Sequence, residues 1–351
     1  MYKKFFMGLA AMAALTLVSC SSDDLNSLSD NSSKNEAISF DGYLGRSAVA
    51  VNGSRGSVLD MDALKKPEEG FGVFGNYNEA NDVEFGSNWF DNVHVTYSST
   101  DTKWKYSPVQ YWLPQGHIDF LAYAPYDSKY DKKVTKDKQE LDFIVNPTIK
   151  DQIDLLWAKA TNQTKANNSG TDKKVKFQFA HALSRLGYTV KLNNNYTGTT
   201  ITLNKITLAG SKDGTPKAFY PKGNIDLSTG NWTPSTTDEK LNFEWFTNTS
   251  GMVLNTEAAD NAADNYLFVI PQDFSASATD ELYVIVEYTI EGYKGVTTPM
   301  KNMVYQKLEK NFEQGKAYTF KLTLGLTPIE FDVTTVEGWT DTNQGDINSW
   351  N

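Results

Sequence analysis

The chain has 351 residues, a formal net charge of −10 and a single cysteine, Cys20. This acidic balance excludes a nucleic-acid partner, because no basic stripe is available to release counterions from phosphates. One cysteine cannot form a disulfide within the chain, so burial of apolar surface has to hold the fold together. The aromatic fraction of 13% favours strands over helices, and the length allows two domains of ordinary size.

The first 19 residues have the layout of an export signal. Two lysines precede an apolar run over residues 5–18, and the small residue Ser19 stands before Cys20. The sequence Leu17-Val18-Ser19-Cys20 resembles the lipobox of bacterial lipoproteins. This resemblance predicts a signal peptide over residues 1–19 and lipidation of Cys20. The alternative is an ordinary signal peptide with an incidental cysteine. Residues 20–36 are polar and rich in Ser, Asn and Asp, which predicts a disordered tether.

The first predicted strand of the exported chain lies within residues 37–51, AISFDGYLGRSAVAV. Ile38 and Phe40 are strand formers spaced two apart, so both can face a core. Arg46 follows in the same segment between Gly45 and Ser47, where it is a candidate cut site for a trypsin-like protease. A cut there would remove a strand from the sheet and leave an open groove.

The body of the chain shows short alternating apolar segments separated by turn residues, which is typical of all-β proteins. One helical turn is expected around residues 61–66, and the best candidate for a linker between domains is NNNYTG at residues 193–198. We therefore predict an N-terminal β-sandwich over residues 37–195 and a C-terminal β-sandwich over residues 196–351. The segments that predict strands include residues 71–77, 93–97, 118–125, 175–179, 188–192, 201–208, 282–290, 317–326 and 328–333.

Several of these segments, in this order, resemble the fimbrillin family of type V pilins. Besides the cysteine motif they are ISFDGYLGRS at 38–47, GFGVFGNY at 70–77, YSPVQYWLPQGHIDFLAYAP at 106–125, DLLWAKA at 154–160, VKFQFAHALSRLGYTV at 175–190, YLFVIPQ at 266–272 and YTFKLTLGLTPIEFDVTTVEGW at 318–339. The resemblance covers nearly the whole chain. It implies two tandem transthyretin-like β-sandwich domains, export as a surface-exposed lipoprotein of the outer membrane, and a structural, non-enzymatic role in adhesion.

The resemblance also implies how such a subunit matures. An arginine-specific protease would cut after Arg46, or after Arg55 in the loop GSRGS, and would release the first strand. The C-terminal strand of another fimbrial subunit, identical or different, would then fill the groove. Within residues 328–333 the apolar side chains of Ile329, Phe331 and Val333 alternate, so they can enter pockets as a donor strand. The alternative is that this segment is only the last strand of its own domain.

A second function remains open at this point. Trp104, Tyr106, Tyr111 and Trp112 form an aromatic cluster, and aromatic rings on a β-surface hold sugars in many glycan-binding modules. The alternative function is therefore a glycan-binding outer-membrane lipoprotein, and core packing is the competing explanation for the four rings. The three histidines, His94, His117 and His181, have no metal-ligand spacing, and no catalytic or cofactor-binding motif is found. We therefore expect no enzyme activity, cofactor or metal.

Overall fold

The computed structural model describes residues 36–44, 59–78, 89–135, 138–168, 173–260, 265–326 and 330–336. Within these ranges the fold is all-β and its packed sheets are those of a β-sandwich, as the sequence predicts. No helix in these ranges is long and apolar enough to cross a membrane. The α-helix α1 spans Met61–Leu64, where a helical turn is predicted, and Asp60 begins it by accepting a hydrogen bond from the Ala63 amide at 2.7 Å.

The first half of the described chain contributes strands up to His181. They are β1 (Phe40–Leu44), β2 (Phe71–Asn78), β3 (Phe90–Ser98), β4 (Lys103–Lys105), β5 (His117–Ala124), β6 (Glu140–Ile144), β7 (Leu156–Gln163) and β8 (Val175–His181). Seven of them form one sheet in the order β1-β8-β7-β5-β2-β3-β4. Two single-turn 3-10 helices lie at Ser128–Tyr130 and Ile149–Asp151. The sheet places β1 at one end, next to β8.

The second half continues with β9 (Ser184–Leu192), β10 (Thr200–Ala209), β11 (Lys222–Asp226), β12 (Trp232–Pro234), β13 (Phe243–Val253), β14 (Ala259–Asp260), β15 (Leu267–Val269), β16 (Gln272–Asp273), β17 (Leu282–Glu291), β18 (Met300–Leu308), β19 (Asn311–Phe312), β20 (Ala317–Leu324) and β21 (Glu330–Val336). A third 3-10 turn lies at Tyr293–Gly295.

These strands form four further sheets among the described residues. One has the order β13-β10-β17-β18, and another has the order β14-β9-β20-β21 with β15 also paired to β9. The smaller ones are β12-β11-β6 and the pair β16-β19. Because β6 and β9 precede residue 195 while their partners β11 and β20 follow it, two sheets contain strands from both predicted domains.

Two clusters of buried apolar side chains form the core. The smaller core is built from residues between Ile38 and Phe179 and includes Phe40, Phe71 and Phe120. The larger core runs from Phe74 to Leu324 and therefore takes residues from both sides of residue 195. The division into domains at residues 37–195 and 196–351 stays a prediction.

Candidate assembly groove

The first strand, β1, is paired with β8 in parallel. The register sets Phe40 opposite Val175 and Leu44 opposite Phe179. Just before the strand, the Val175 amide donates to the Ser39 carbonyl at 2.8 Å. Some 130 residues of chain separate these partners. The local alternation of the sequence predicts a strand here, but it does not predict which strand it joins.

Main-chain hydrogen bonds also hold the start of this segment on its other side. The Ile38 amide donates to the Gln110 carbonyl and the Trp112 amide donates to the Glu36 carbonyl, both at 2.9 Å. Ala37 lies opposite Tyr111 in this antiparallel bridge. Residues 36–44, here called the leading segment, therefore fill a slot between β8 and residues 110–112. We call this slot the leading-strand groove.

The floor of the groove is aromatic. The ring of Phe40 is 2% exposed and lies 5.6 Å from Phe90, 5.2 Å from Tyr106, 5.3 Å from Phe120 and 5.6 Å from Phe177, centroid to centroid. Ring pairs at such distances stabilise a cluster beyond the area that they bury. Phe40 therefore fills a pocket formed by these four rings, and Ile38, which is 1% exposed, fills the position two residues before it.

Gly42 completes the inward face of β1 because the groove has little room there. A Cβ atom at Gly42 would lie 3.1 Å from Cε2 of Phe179 and 3.5 Å from Cε1 of Phe71. The outward face is different: Asp41 pairs with Lys174 at 3.6 Å, and the ring of Tyr43 is 46% exposed. The alternation of buried and exposed side chains predicted for this segment is confirmed over the described part of it.

Tyr106 is part of the groove wall. Its hydroxyl donates to the Ile38 carbonyl at 2.9 Å and accepts from the Gln110 amide at 3.2 Å. Burial raises the pKa of Tyr106 to about 12, although the hydrogen bond with the Gln110 backbone acts in the opposite direction. The hydroxyl therefore ties the leading segment to the wall in its protonated form.

Replacing this hydroxyl gives a pH-dependent prediction. Folding raises the pKa of Tyr106 from 10.0 to about 12. The protonated hydroxyl therefore contributes its full stabilisation below pH 10.0, the pKa of the unfolded chain, and this contribution is lost as the pH rises through the pKa of the folded chain. Between these values we expect the unfolding free energy of the wild type to fall more steeply than that of Tyr106→Phe. The difference should be below about 1.4 kcal/mol per pH unit, because water screens a partly exposed ring. Denaturant unfolding at several alkaline pH values measures it, and parallel curves would contradict the assignment.

The last described strand, β21, lies at the end of its own sheet. It pairs with β20 in antiparallel fashion, with Phe331 opposite Leu322 and Val333 opposite Phe320. Val333 is partly buried against the larger core. Residues 330–333 of the strand predicted at residues 328–333 thus belong to a strand of this chain, while residues 328 and 329 lie outside the described residues. The role of this segment as a donor stays a prediction.

The four rings considered for glycan binding do not share one accessible surface. Trp104 is 8% exposed and Trp112 is 4% exposed, while Tyr106 faces the groove. Tyr111 alone of the four presents a largely exposed ring, at 44%. A sugar needs the open face of a ring to stack on, so the burial of both tryptophans favours core packing over glycan binding.

The histidines have structural surroundings. His94 stacks on Tyr126 with centroids 3.9 Å apart, and His117 lies 3.8 Å from a carboxylate oxygen of Asp119. His181, at the end of β8, contacts the buried carboxylate of Asp154 at 3.1 Å. Within the described ranges no group of three or more His, Cys, Asp or Glu side chains could hold a metal ion.

Some of the predicted site residues lie outside the described residues. They are Cys20, Arg46, Arg55 and Ile329. Gln110 and the pocket residues Phe90, Phe120 and Phe177 were not among the predicted site residues. Tyr111 and Trp112 of the groove wall were predicted only as possible glycan contacts. The one sequence signal for the pocket is that Phe177 belongs to a strictly alternating segment.

These features define a class of protein: an all-β chain whose first strand completes a sheet and fills an aromatic pocket. The family model described as Fimbrillin-like matches residues 61–339, and the chain belongs to this fimbrillin-like family. The prediction made from the ordered motifs is confirmed.

Solved structures share the fold. A fimbrial protein from Bacteroides vulgatus ATCC 8482 is similar with a TM-score of 0.66 and 22% identity, over 87% of this chain and 100% of that one. A candidate cell-adhesion protein from Bacteroides ovatus ATCC 8483 is similar with a TM-score of 0.51 and 14% identity, over 88% of this chain and 100% of that one. A search of curated proteins found no match.

Proposed function

We propose that this chain is a structural subunit of a cell-surface fimbria that polymerises by donor-strand exchange and supports adhesion. The observation that carries the proposal is the leading segment, which is hydrogen-bonded on both sides and buries Phe40 and Ile38 in the smaller core. Membership of the fimbrillin-like family supports the fimbrial role. Before maturation the protein is exported to the outer-membrane surface as a lipoprotein attached through Cys20, in line with the signal layout of the sequence.

The positions of the arginines support maturation by an arginine-specific protease. The sequence contains three arginines, Arg46, Arg55 and Arg185, against thirty lysines. Arg185 is 4% exposed at the start of β9, so the folded chain protects it from a protease. Arg46 stands two residues after the end of β1 at Leu44. A protease of this specificity would therefore release the leading segment from the folded chain without cutting the core.

The chain after either cut site is also held by contacts that do not involve β1. The Leu59 amide donates to Oδ2 of Asp154 at 2.8 Å, and Asp154 also contacts His181 at the end of β8. Leu64 in α1 is fully buried in the smaller core. Loss of the leading segment therefore leaves the next part of the chain anchored beside the groove.

An emptied groove is unfavourable, and this drives exchange. Exposing the pockets of Ile38 and Phe40 forfeits about 1.5–3 kcal/mol for each side chain. The carbonyl of Gln110 and the amides of Trp112 and Val175 lose their partners, at about 0.5–1.5 kcal/mol for each hydrogen bond. An extended segment from a neighbouring subunit restores both contributions, and its apolar residues enter the same pockets.

The test is cleavage of the purified precursor with an arginine-specific protease. We expect a ladder of oligomers on unboiled gels after cleavage and none before it. Arg46→Ala and Arg55→Ala, made separately, identify the bond: the variant that blocks the ladder carries the productive site. A precursor that is cut after Arg46, loses residues 36–44 and stays monomeric would refute the proposal.

A further inference from the structure

The leading segment and the last strand share a four-residue pattern. Ile38-Ser39-Phe40-Asp41 and Ile329-Glu330-Phe331-Asp332 both read Ile-x-Phe-Asp, and this pattern occurs nowhere else in the sequence. We propose that the last strand of a second copy of this chain enters the groove in the direction and register of the leading segment. Ile329, Phe331 and Asp332 then replace Ile38, Phe40 and Asp41. This inference rests on the proposed function and makes the chain its own partner.

The aromatic pocket determines the direction in which the donor strand runs relative to β8. Because β1 runs parallel to β8, a donor that presents Ile before Phe reaches both pockets in order when it also runs parallel to β8. A donor of the opposite direction would bring the two side chains to exchanged pockets. The Phe40 pocket is enclosed by four rings and matches another Phe in size, so exchanging Ile and Phe leaves space in one pocket and crowds the other.

The proline that precedes the last strand in the sequence agrees with this register. Pro328 takes the position of Ala37, and proline has no amide hydrogen to donate. The two main-chain hydrogen bonds to residues 110–112 use the amides of Ile38 and Trp112, not the amide of Ala37. In this register both bonds are kept, with the Ile329 amide donating to Gln110 and the Thr327 carbonyl accepting from Trp112.

The crowded position at Gly42 and the size of the Phe40 pocket disfavour the neighbouring registers. A shift of two residues in one direction brings Phe331 to Gly42, where even a Cβ atom lies 3.1 Å from Phe179. The opposite shift leaves Val333 in the larger pocket of Phe40. A shift by one residue turns every apolar side chain to the outer face. In the proposed register the smaller side chain of Val333 takes the place of Gly42, where its Cβ atom also lies 3.1 Å from Cε2 of Phe179, so the Phe179 ring has to move for it as well.

The outer face offers charge complementarity in the same register. Asp41 lies 3.6 Å from Lys174, on the exposed side of the groove. Asp332 of the second copy takes this position and faces the same lysine. Because the pair is exposed, it contributes to alignment more than to stability.

Cysteine cross-linking reads the register directly. In β1, Tyr43 lies opposite Gln178, and both side chains are exposed. Thr334 stands five residues after Ile329, as Tyr43 stands five after Ile38. With Cys20 replaced by Ala, one preparation carries Gln178→Cys and the other carries Thr334→Cys. Asp332→Cys and Val336→Cys, two residues to either side, are the matched controls.

The preparations are cut with the arginine-specific protease, mixed in pairs and mildly oxidised. We expect the disulfide-linked dimer of the 178 and 334 variants to accumulate at least about tenfold faster than either control pair, because disulfides need closely spaced Cβ atoms. Uncut mixtures should give no linked dimer, since the leading segment fills the groove. Thermal unfolding before cutting confirms that each variant is folded.

The outcomes separate this inference from the proposed function. Faster linkage of the 332 or 336 variant would overturn the register, while polymerisation by strand exchange would stand. A ladder on unboiled gels without any linked dimer would show that the last strand does not enter beside β8 in this direction. Monomers alone, with no ladder and no linkage, would refute the proposed function together with the inference.

Discussion

Phe40→Ala in the uncut chain should lower the free energy of unfolding by about 3–5 kcal/mol. The ring is 2% exposed and touches four other rings, so its removal loses both transfer free energy and ring contacts. The cavity lies between β1 and the neighbouring strands, where Gly42 has no side chain that could move into it. Chemical denaturation of the precursor, followed by tryptophan fluorescence, measures the loss.

Tyr43→Ala is the matched control on the same strand. Tyr43 is three residues from Phe40 and its ring is 46% exposed, so its removal should change the unfolding free energy by no more than about 0.5 kcal/mol. Equal losses for the two variants would mean that the leading segment lies on the surface instead of filling the groove.

Phe40→Ala also allows the stability of the precursor to be measured separately from assembly. A cut after Arg46 removes residue 40, so the cut forms of the wild type and of Phe40→Ala have the same sequence. We therefore expect both to form the same ladder, although their precursors differ in stability. The leading segment thus fills the groove only until the chain is cut, and its contacts determine the stability of the precursor.

The sequence predicted local elements better than their partners. The short apolar segment at residues 71–77 corresponds to β2, Phe71–Asn78, and the helical turn expected at residues 61–66 corresponds to α1, Met61–Leu64. Both depend on side-chain spacing within a few residues. The pairing of β1 with β8 joins Phe40 to Val175, and nothing in either segment alone specifies the other.

The groove could be predicted only in part, because the sequence indicates local strands but not the strands that pair with them. Ile38 and Phe40 were expected to face a core, and they do. Residues 110–112 form the second wall, but their sequence, QYW between two prolines, also fits a surface platform of aromatic rings. The pattern of apolar and polar residues in a sequence does not show whether an aromatic ring is buried or exposed when the residues next to it are polar or aromatic as well. In the structure the Trp112 amide donates to the Glu36 carbonyl and the tryptophan ring is buried, at 4% exposure.

The turn between β11 and β12 packs tightly on β7. The Lys159 ammonium donates to the Ser228 carbonyl at 2.6 Å, and Gln314 donates to the Gly230 carbonyl at 2.9 Å. Gly230 has φ +82°, and a Cβ atom there would lie 2.1 Å from Cζ2 of Trp157. This turn joins parts of the chain from opposite sides of residue 195 through direct contacts, so its fit bears on how they pack together.

Gly230→Ala should therefore destabilise the chain by about 2–5 kcal/mol, as the sum of left-handed strain and overpacking against Trp157. Gly198→Ala is the control, because Gly198 has φ +74° and nothing lies within 4 Å of the added atom. It should cost only the strain, about 1–2 kcal/mol. In a Trp157→Ala background the cost of Gly230→Ala should fall to that of Gly198→Ala, since the clashing ring is gone. Thermal and denaturant unfolding of the four variants measures each value. If the cost of Gly230→Ala were unchanged without Trp157, the contact between this turn and β7 would not be what constrains the glycine.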